Sequence, residues 1–270
     1  MYISNSINDI YRHLLNGVKI YGDHVGNTVE LQNVSFQLTD IEDNIPTSRK
    51  NYSLKYLLGE LYWYFSGSNS LSTISQYSNF WTKISDDGIT SNSAYGYIMQ
   101  HKFNFNQIEK MVELLRHDEN SRRAVININV PNEYVIETLD EPCTIAIQFL
   151  IREGKLNATV MMRSNDLWFG LPYDIPFFTE LQKYIANELG VEYGMYTHFV
   201  TSMHIYDRNM DDINESIKNY DDSNYNTVRL NSSNLHGNID NVLLYTSMTP
   251  GFPERIVQYA FDNKIIEELK

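Results

Sequence analysis

Cys143, the only cysteine of the chain, opens the stretch whose residue types are best suited to chemistry. The β-rich runs 144–151 and 156–162 follow it, and Gly154 between them supplies the turn of a predicted hairpin. Arg163 comes directly after the second run, so pairing of the two strands would bring a guanidinium close to the thiol. A neighbouring cation favours the thiolate, which makes Cys143 a candidate nucleophile. The alternative is that this lone cysteine is a small buried hydrophobic residue.

Glu60 is a candidate acid because it lies in a strongly apolar segment, predicted to be a helix that Ser53 caps and that ends near Gly67. Such a carboxylate is either on a solvated stripe or buried with a raised pKa, and the sequence leaves both open. Burial would mark a functional acid. Trp81 and Tyr95 follow in a Ser/Asn-rich region predicted to be irregular. They could stack on a flat ligand or fill a satellite core.

Hydrophobic periodicity and capping residues predict the elements that position these candidates. Helices are predicted in five places: after Ser6, after Ser53, after Asn106, from Pro176, in the first turn, to Gly190, and, together with an acidic loop, within 207–226. Further strands are predicted at 28–38 (with a bulge at Asn33), 124–130, 193–206 and 241–246. No linker, repeat or low-complexity tract divides the chain. Residues 1–270 are therefore expected to form one α+β domain with a mostly antiparallel or mixed sheet.

The formal net charge of −13 argues against broad nucleic-acid binding, which needs Lys and Arg spread over a face. A few basic residues in one pocket would still bind a small phosphorylated ligand, and the basic clusters are Arg49-Lys50, Arg122-Arg123 and Arg163. A single cysteine and an N-terminus without an export signal favour the cytoplasm. The sequence has no membrane-length apolar run and no dinucleotide, P-loop or zinc-hydrolase motif.

Blocks of sequence in a fixed order resemble the thymidylate synthase family over residues 8–209. The blocks are Glu60-Leu61 with Gly67, Trp81, Tyr95-Gly96, Asp118 with Ser121-Arg122-Arg123, Pro142-Cys143 with Gln148-Phe149, Arg163-Ser164-Asn165-Asp166, Gly170-Leu171-Pro172 with Ile175, and His204-Ile205-Tyr206. The resemblance implies a thymidylate synthase-like α+β fold with a large mixed or antiparallel sheet packed with helices. It also implies a homodimer joined sheet to sheet.

The resemblance further implies a role for each matched residue, with 5,10-methylenetetrahydrofolate as co-substrate and no metal. Cys143 would attack C6 of a pyrimidine nucleotide, and Glu60 would serve in proton transfers at the base. Arg163 would bind the phosphate and help to ionise Cys143. The other implied contacts are Ser164 with the phosphate, Asn165, Asp166 and Gly170 with the nucleotide, His204 and Tyr206 with the sugar hydroxyl, Arg122 and Arg123 with the phosphate site of the other subunit, and Trp81, Tyr95, Asp166 and Lys50 with the folate.

Three features depart from the family pattern. Thr144 follows the nucleophile, where thymidylate synthases typically have His. The loop from Tyr21 to Asn27 lacks the Arg that binds phosphate in the family, and His24 is a weak substitute. The C-terminal end does not resemble the synthase tail that closes over the folate.

Asp174 is the departure that bears on the substrate, because thymidylate synthases have Asn there. An amide matches the N3–H donor and O4 acceptor of uracil, whereas a carboxylic acid matches the N3 acceptor and N4 amino donor of cytosine. Asp174 is therefore predicted to select cytosine and to hand its proton to N3 as the thiolate adds. An Asp here is similar to the deoxycytidylate (dCMP) 5-hydroxymethylases, a phage branch of the family that would indicate DNA modification.

That branch adds water to the exocyclic methylene formed on C5, whereas synthases reduce the methylene with hydride from the folate. Several alternatives stay open at this point: a thymidylate synthase acting on dUMP, a dCMP methyltransferase, a CMP hydroxymethylase and, outside enzymes, a silent nucleotide-binding paralogue. Retention of Cys143, Glu60 and Arg163 together speaks against the last alternative.

Overall fold

A seven-stranded mixed sheet carries the strands that end at the candidate site. The structure, a computed structural model, describes residues 1–130 and 136–269. The strands lie in the order β1 (Tyr2–Ser4), β3 (Thr28–Leu38), β7 (Glu192–Tyr206), β6 (Lys155–Asp166), β5 (Thr144–Arg152) and β4 (Val125–Asn127), with β2 (Asp23–Val25) paired to β3. The β1–β3 and β6–β7 pairs are parallel and the other pairs are antiparallel. The predicted α+β class with a mixed sheet is confirmed.

Two long helices, the first and the seventh, pack on this sheet. The helices are α1 (Ile7–Tyr21), α2 (Leu54–Phe65), α3 (Leu71–Ile74), α4 (Phe80–Ile84), α5 (Tyr95–Gln100), α6 (Gln107–His117), α7 (Leu171–Leu189), α8 (Met210–Asp221), α9 (Ser232–Gly237), α10 (Ile239–Met248) and α11 (Phe252–Asp262). A 3-10 helix at Asp207–Asn209 and a short antiparallel pair, β8 (Val228–Leu230) with β9 (Ile266–Glu268), complete the described elements. One cluster of buried apolar side chains extends from Ile7 to Ile266.

The predicted hairpin is β5–β6, and its turn explains the glycine. Glu153 and Gly154 both have positive φ, 53° and 72°, as a two-residue hairpin turn that matches strand twist requires. At the open end of the hairpin, the backbone N–H of Arg163 donates to the carbonyl oxygen of Cys143 at 2.9 Å. Strand pairing therefore brings the candidate nucleophile and the cation together.

The buried face of the two central strands changes phase at one level of the sheet. In β6 the buried residues step from Met162 to Asn165, and in β7 they step from Val200 to Met203. Asn33 of β3 lies at the same level and has a left-handed φ of 56°. The register of β3 against β7 is the same on both sides of Asn33, so the predicted bulge is wrong, because no residue is inserted there. The phase change is what turns Asn165 inward at the site.

Helix α7 begins earlier than the sequence predicts. Pro172, rather than Pro176, lies in its first turn, so the predicted start is wrong. Pro176 lies inside the helix, where it has no N–H to offer the carbonyl of Pro172. The hydroxyl of Tyr52 donates to that carbonyl at 3.0 Å instead. The earlier start places Asp174 in the first turn of α7.

Some of the other local predictions are confirmed, and others are wrong. Ser53 and Asn106 cap their helices with side-chain hydrogen bonds, and Gly190 ends α7 in the left-handed conformation, as predicted. Ser6 precedes α1 without a side-chain cap bond. The region around Trp81 and Tyr95, predicted to be irregular, contains the short helices α4 and α5.

The strand predicted at 241–246 is wrong, because these residues lie in α10. Val242 and Thr246 are its buried residues, and their spacing of four is that of a helix face. A short apolar run does not by itself distinguish strand from helix. In the described ranges, no helix is both long and apolar enough to cross a membrane.

Substitution of Gly96 by Ala is expected to destabilise the protein, because α5 crosses α2 at this residue. A Cβ at position 96 would lie 1.6 Å from the backbone oxygen of Tyr64, so the two helices would have to separate. Overpacking of this kind costs about 1–3 kcal/mol or more. Denaturant unfolding would measure the loss. Gly17→Ala in α1 is the matched control, since nothing lies within 4 Å of its Cβ. Equal effects of the two substitutions would contradict the argument.

Candidate active site

Cys143 lies immediately before β5 and beside Arg163. The guanidinium of Arg163 donates to the carbonyl oxygens of Pro142 at 3.1 Å and Glu141 at 2.7 Å. It therefore braces the loop that carries the thiol while its charge acts on the sulfur. The sequence expectation that thiol and cation converge is met by the structure.

Burial outweighs the cation in setting the charge of the thiol. Removal from water raises the pKa of Cys143 to about 11, although Arg163 lowers it. The carboxylates of Asp174, Asp140 and Asp166 raise the pKa further. Arg163 therefore favours the thiolate, as expected, but in the free protein desolvation and three carboxylates outweigh one guanidinium. A ligand that neutralises these carboxylates would assist ionisation of the thiol.

Glu60 lies in α2 with only 6% of its surface exposed, which decides between the two sequence alternatives in favour of burial. Burial raises the pKa of Glu60 to about 8, Tyr56 lowers it by a hydrogen bond, and Asp174 raises it. The hydroxyl of Tyr56 donates to Glu60 Oε1 at 2.6 Å and accepts the indole N–H of Trp81 at 3.0 Å. A carboxyl group with this pKa can give or take a proton near neutral pH.

Asp174 is held at the head of α7 by Asn165, whose Nδ2 donates to Asp174 Oδ2 at 2.7 Å. Burial raises the pKa of Asp174 to about 6, the bond from Asn165 lowers it, and Asp166 raises it. Gly170 leaves room for this bond, since a Cβ there would lie 2.8 Å from Asn165 Nδ2 and 3.2 Å from Asp174 Oδ2. Gly170 of the Gly170-Leu171-Pro172 block is therefore required for packing, and the block also identifies the position of Asp174 in the sequence.

His204 and Tyr206 meet at the end of β7, as strand alternation predicts. Their ring centroids are 5.3 Å apart in an edge-on arrangement, and His204 Nδ1 lies 3.4 Å from Ser164 Oγ. Asp166 is opposite His204 in the register of β6 and β7. Burial raises the pKa of Asp166, while the N–H of Trp168, at 2.7 Å from its Oδ1, lowers it. These side chains form a polar wall beside Asn165.

Two aromatic residues predicted at the site are buried next to it. Tyr95 is 5% exposed and Trp81 is 8% exposed. The ring of Tyr95 stacks on Tyr64 with centroids 5.2 Å apart. Burial, Asp174 and Cys143 each raise the pKa of the Tyr95 hydroxyl, which places that hydroxyl among the reactive groups. The ring of Tyr95 therefore belongs to the core, and its stacking on a flat ligand stays a prediction.

The structure does not bring Lys50 or the Arg pair into this cluster. The ammonium of Lys50 is paired with Asp212 at 2.9 Å and with Glu215 at 2.7 Å, both on α8. Arg122 and Arg123 are exposed in the segment before β4. A folate contact for Lys50 and a contact of the two Arg side chains with another subunit stay predictions.

Tyr56 is the site residue that sequence reasoning missed. Its only signal is the spacing of four residues before Glu60 on a helix, which puts the two side chains on one face. The cluster as a whole combines a half-buried thiol, two carboxyl groups with raised pKa values and a guanidinium. Such a set suits attack by sulfur on a polar ring with proton transfers at two positions. Among the described residues, no group of three or more His, Cys, Asp or Glu side chains could hold a metal ion.

The chain is similar to known proteins in sequence and in fold. The family model described as thymidylate synthase matches residues 8–249. A putative thymidylate synthase of Methanocaldococcus jannaschii is 44% identical over 39% of this chain and 50% of that protein. The thymidylate synthase of Clostridium beijerinckii is 29% identical over 71% of this chain and 72% of that protein.

A phage protein and a solved structure add to this. The deoxyuridylate hydroxymethyltransferase of Delftia phage PhiW-14 is 31% identical over 72% of this chain and 57% of that protein. The chain thus spans about half the length of the Methanocaldococcus and Delftia phage proteins that it matches. Thermostable thymidylate synthase A from Bacillus subtilis superposes with a TM-score of 0.67 at 22% identity, over 79% of this chain and 84% of that chain. This superposition is a likeness of fold.

The rate at which iodoacetamide alkylates the single thiol should depend on the charges around that thiol. Replacement of Arg163 by Gln removes the one group that lowers the pKa of Cys143, so the pKa should rise above about 11. At pH 8–9 the alkylation rate should fall roughly tenfold for each unit by which the pKa rises. Arg152→Gln, at the exposed far end of the hairpin, should leave the rate unchanged. A faster reaction of the Arg163 variant would show that the cation does not stabilise the thiolate.

Proposed function

Because this chain belongs to the thymidylate synthase family, whose reaction is one-carbon transfer to a pyrimidine nucleotide, we propose that it is a dCMP 5-hydroxymethylase. The observation that carries the choice of base is the buried Asp174 held by Asn165. The co-substrate used by the family, methylenetetrahydrofolate, supplies a one-carbon unit at the oxidation level of formaldehyde. Addition of water to the product methylene keeps that oxidation level, so the reaction needs no reductant.

Asn165 determines how Asp174 can pair with a base. Its N–H donates to Oδ2, so Oδ2 is an acceptor and a proton on Asp174 is carried by Oδ1. Oδ1–H then donates to N3 of cytosine, while a second lone pair of Oδ2 accepts from the N4 amino group. With uracil, the N3–H donor would face the proton on Oδ1, and the O4 acceptor would face the lone pairs of Oδ2. A buried mismatch of this kind discriminates between bases strongly.

Cytosine binding is coupled to a proton in this proposal. The pKa of Asp174 is about 6 in the free protein, so most of the protein carries an ionised Asp174 at pH 7. One proton must then be taken up when cytosine binds, because two acceptors cannot face each other across the N3 position. The proton is in place when Cys143 forms its bond to C6, and it neutralises the charge that develops on the ring.

The remaining steps use the groups around the thiol. Cys143 gives its thiol proton to solvent and its sulfur bonds to C6, which makes C5 nucleophilic towards the one-carbon unit. Glu60, with a pKa of about 8, is suited to take the proton from C5 and to release it again to another group of the site. After the folate amine leaves, water adds to the exocyclic methylene and the bond from C6 to sulfur breaks. Arg163, Ser164, His204 and Tyr206 are proposed to bind the phosphate and sugar.

Two exposed rings support a site for a flat co-substrate. Phe80, beside Trp81, is 52% exposed, and Phe169, beside Gly170, is 51% exposed. Aromatic residues left exposed next to a buried site offer faces on which a pteridine ring can stack. Trp81 itself is less free for this role than the sequence suggests, because its indole N–H is bonded to Tyr56.

A homodimer joined through the open face of the sheet is part of the proposal. On the side away from the helices, Met161 is paired in register with Phe199, and Phe199 and Met195 are 37% and 41% exposed. Apolar side chains in the middle of a sheet face are well suited to a second copy of the chain. The exposed guanidinium groups of Arg122 and Arg123 would then be available to the phosphate site of the other subunit.

Deoxyuridylate hydroxymethylation is the second candidate function. The phage relative that carries this description is 31% identical over most of the chain. The two candidates share the folate, the thiol chemistry and the addition of water, and they differ only in the base. Asp174 favours cytosine for the reason given above, so the substrate decides between them.

Product analysis should show addition of CH₂O to dCMP when the protein is incubated with methylenetetrahydrofolate and dCMP, dUMP or CMP. The expected co-product is tetrahydrofolate, measured together with the product mass. Addition of CH₂ to dUMP with release of dihydrofolate would make the protein a thymidylate synthase, and addition of CH₂O to dUMP would support the second candidate. In Asp174→Asn, kcat/KM for dCMP should fall by about 10²-fold or more relative to dUMP. Asp221→Asn, an exposed carboxylate on α8, should leave the preference unchanged.

The affinity for dCMP should fall as pH rises above about 6, because the neutral form of Asp174 predominates below its pKa of about 6 and is lost above it. The Kd should rise by up to about tenfold per pH unit. The phosphate of dCMP ionises in the same range, so the ratio of Kd between parent and Asp174→Asn isolates the carboxyl. Calorimetry in buffers of different ionisation enthalpy should show uptake of close to one proton by the parent. A ratio that does not change with pH would contradict proton-coupled binding.

A further inference from the structure

A chain of two hydrogen bonds ends on one oxygen of Glu60. The indole N–H of Trp81 donates to the hydroxyl of Tyr56 at 3.0 Å, and that hydroxyl donates to Glu60 Oε1 at 2.6 Å. Trp81 and Glu60 are both buried. Tyr56 lies four residues before Glu60 on α2, and its ring packs edge-on against Tyr173 with centroids 4.7 Å apart.

The direction of this chain follows from the chemistry of its members. An indole N–H can only donate, so the oxygen of Tyr56 must accept from Trp81. The single proton of the Tyr56 hydroxyl is then directed to Glu60, and Glu60 Oε1 must accept it. Burial and the charge of Glu60 raise the pKa of Tyr56 well above its usual value, so the hydroxyl keeps its proton.

We propose that Tyr56 is a positioning residue that fixes Glu60 Oε1 as an acceptor, so that the proton which Glu60 exchanges with the pyrimidine is carried on Oε2. Without this bond the proton could occupy either oxygen, and the carboxyl could rotate between the two arrangements. With it, one oxygen is assigned to the protein and the other to the substrate. This inference rests on the proposed role of Glu60 in proton transfer.

Tyr56 also opposes the effect of burial on Glu60. A hydrogen bond given to the ionised carboxylate stabilises that form, whereas desolvation and the charge of Asp174 destabilise it. The bond therefore keeps the pKa of Glu60 closer to 7 than burial alone would. The same hydroxyl thus determines both the position of the proton and the pH range in which it moves.

The test measures the titration of Glu60 in the whole protein by ¹³C NMR of glutamate labelled at the carboxyl carbon. Loss of one resonance in Glu60→Gln assigns the signal. Tyr56→Phe keeps the ring and removes the hydroxyl, so the Glu60 titration should shift upward by about one pH unit. One limb of the pH profile of kcat/KM for dCMP should disappear in Glu60→Gln, which assigns it to Glu60. In Tyr56→Phe that limb should also shift to higher pH. Trp81→Phe frees the hydroxyl to turn away and should shift the titration upward by less.

Tyr259→Phe is the matched control, because its hydroxyl donates to Asn238 Oδ1 at 2.8 Å far along the chain from Glu60. It should leave the Glu60 titration and the pH profile unchanged. An unchanged or lowered Glu60 titration in both Tyr56→Phe and Trp81→Phe would overturn the inference, whatever the activity. An upward shift in a protein that does not turn over dCMP would support the positioning of Glu60 and sink the proposed substrate instead.

Discussion

Desolvation of three titratable side chains in one place is the constraint on which this site depends. Glu60 is buried and Cys143 and Asp174 are half-buried, and desolvation is the largest influence on the pKa of each. Each negative charge also makes the others harder to form, since Asp174 raises the pKa of both Cys143 and Glu60. At pH 7 the free site therefore keeps Cys143 and most of Glu60 protonated, while Asp174 is mostly ionised. A site of this kind is ready to accept and release protons as a ligand changes the balance.

The rest of the fold keeps these groups buried and apart from solvent. The hairpin register holds Arg163 under the thiol loop, and Gly170 lets Asn165 reach Asp174. The missing N–H of Pro176 would leave a carbonyl of α7 without a partner, and Tyr52 provides the hydrogen bond. Each of these local features serves the placement of a side chain at the head of a strand or helix.

Two neutral donors give the carboxyl groups their orientation. Tyr56 donates to one oxygen of Glu60, and Asn165 donates to one oxygen of Asp174. In each case the opposite oxygen is left to carry a proton, and in each case the bond lowers the pKa that burial raises. Neutral donors can do this without adding a charge that would ionise the thiol prematurely or bind the substrate phosphate. The pattern relates the packing of α2 and α7 to the proton transfers proposed for the base.

The sequence by itself determined the hairpin, the starts of α1, α2 and α6, the end of α7, the candidate reactive residues and the family, because these depend on local periodicity, turn chemistry and ordered motifs. It also identified Asp174, since a change from amide to acid alters hydrogen bonding wherever the residue lies. The helix over 241–246, the start of α7 and the hydrogen bond from Tyr56 to Glu60 were decided by tertiary structure. So was the ionisation of Cys143, because local spacing predicted the effect of Arg163 but not the larger effect of burial. A pKa depends on burial and on distances to charges from other elements, and no local pattern encodes either.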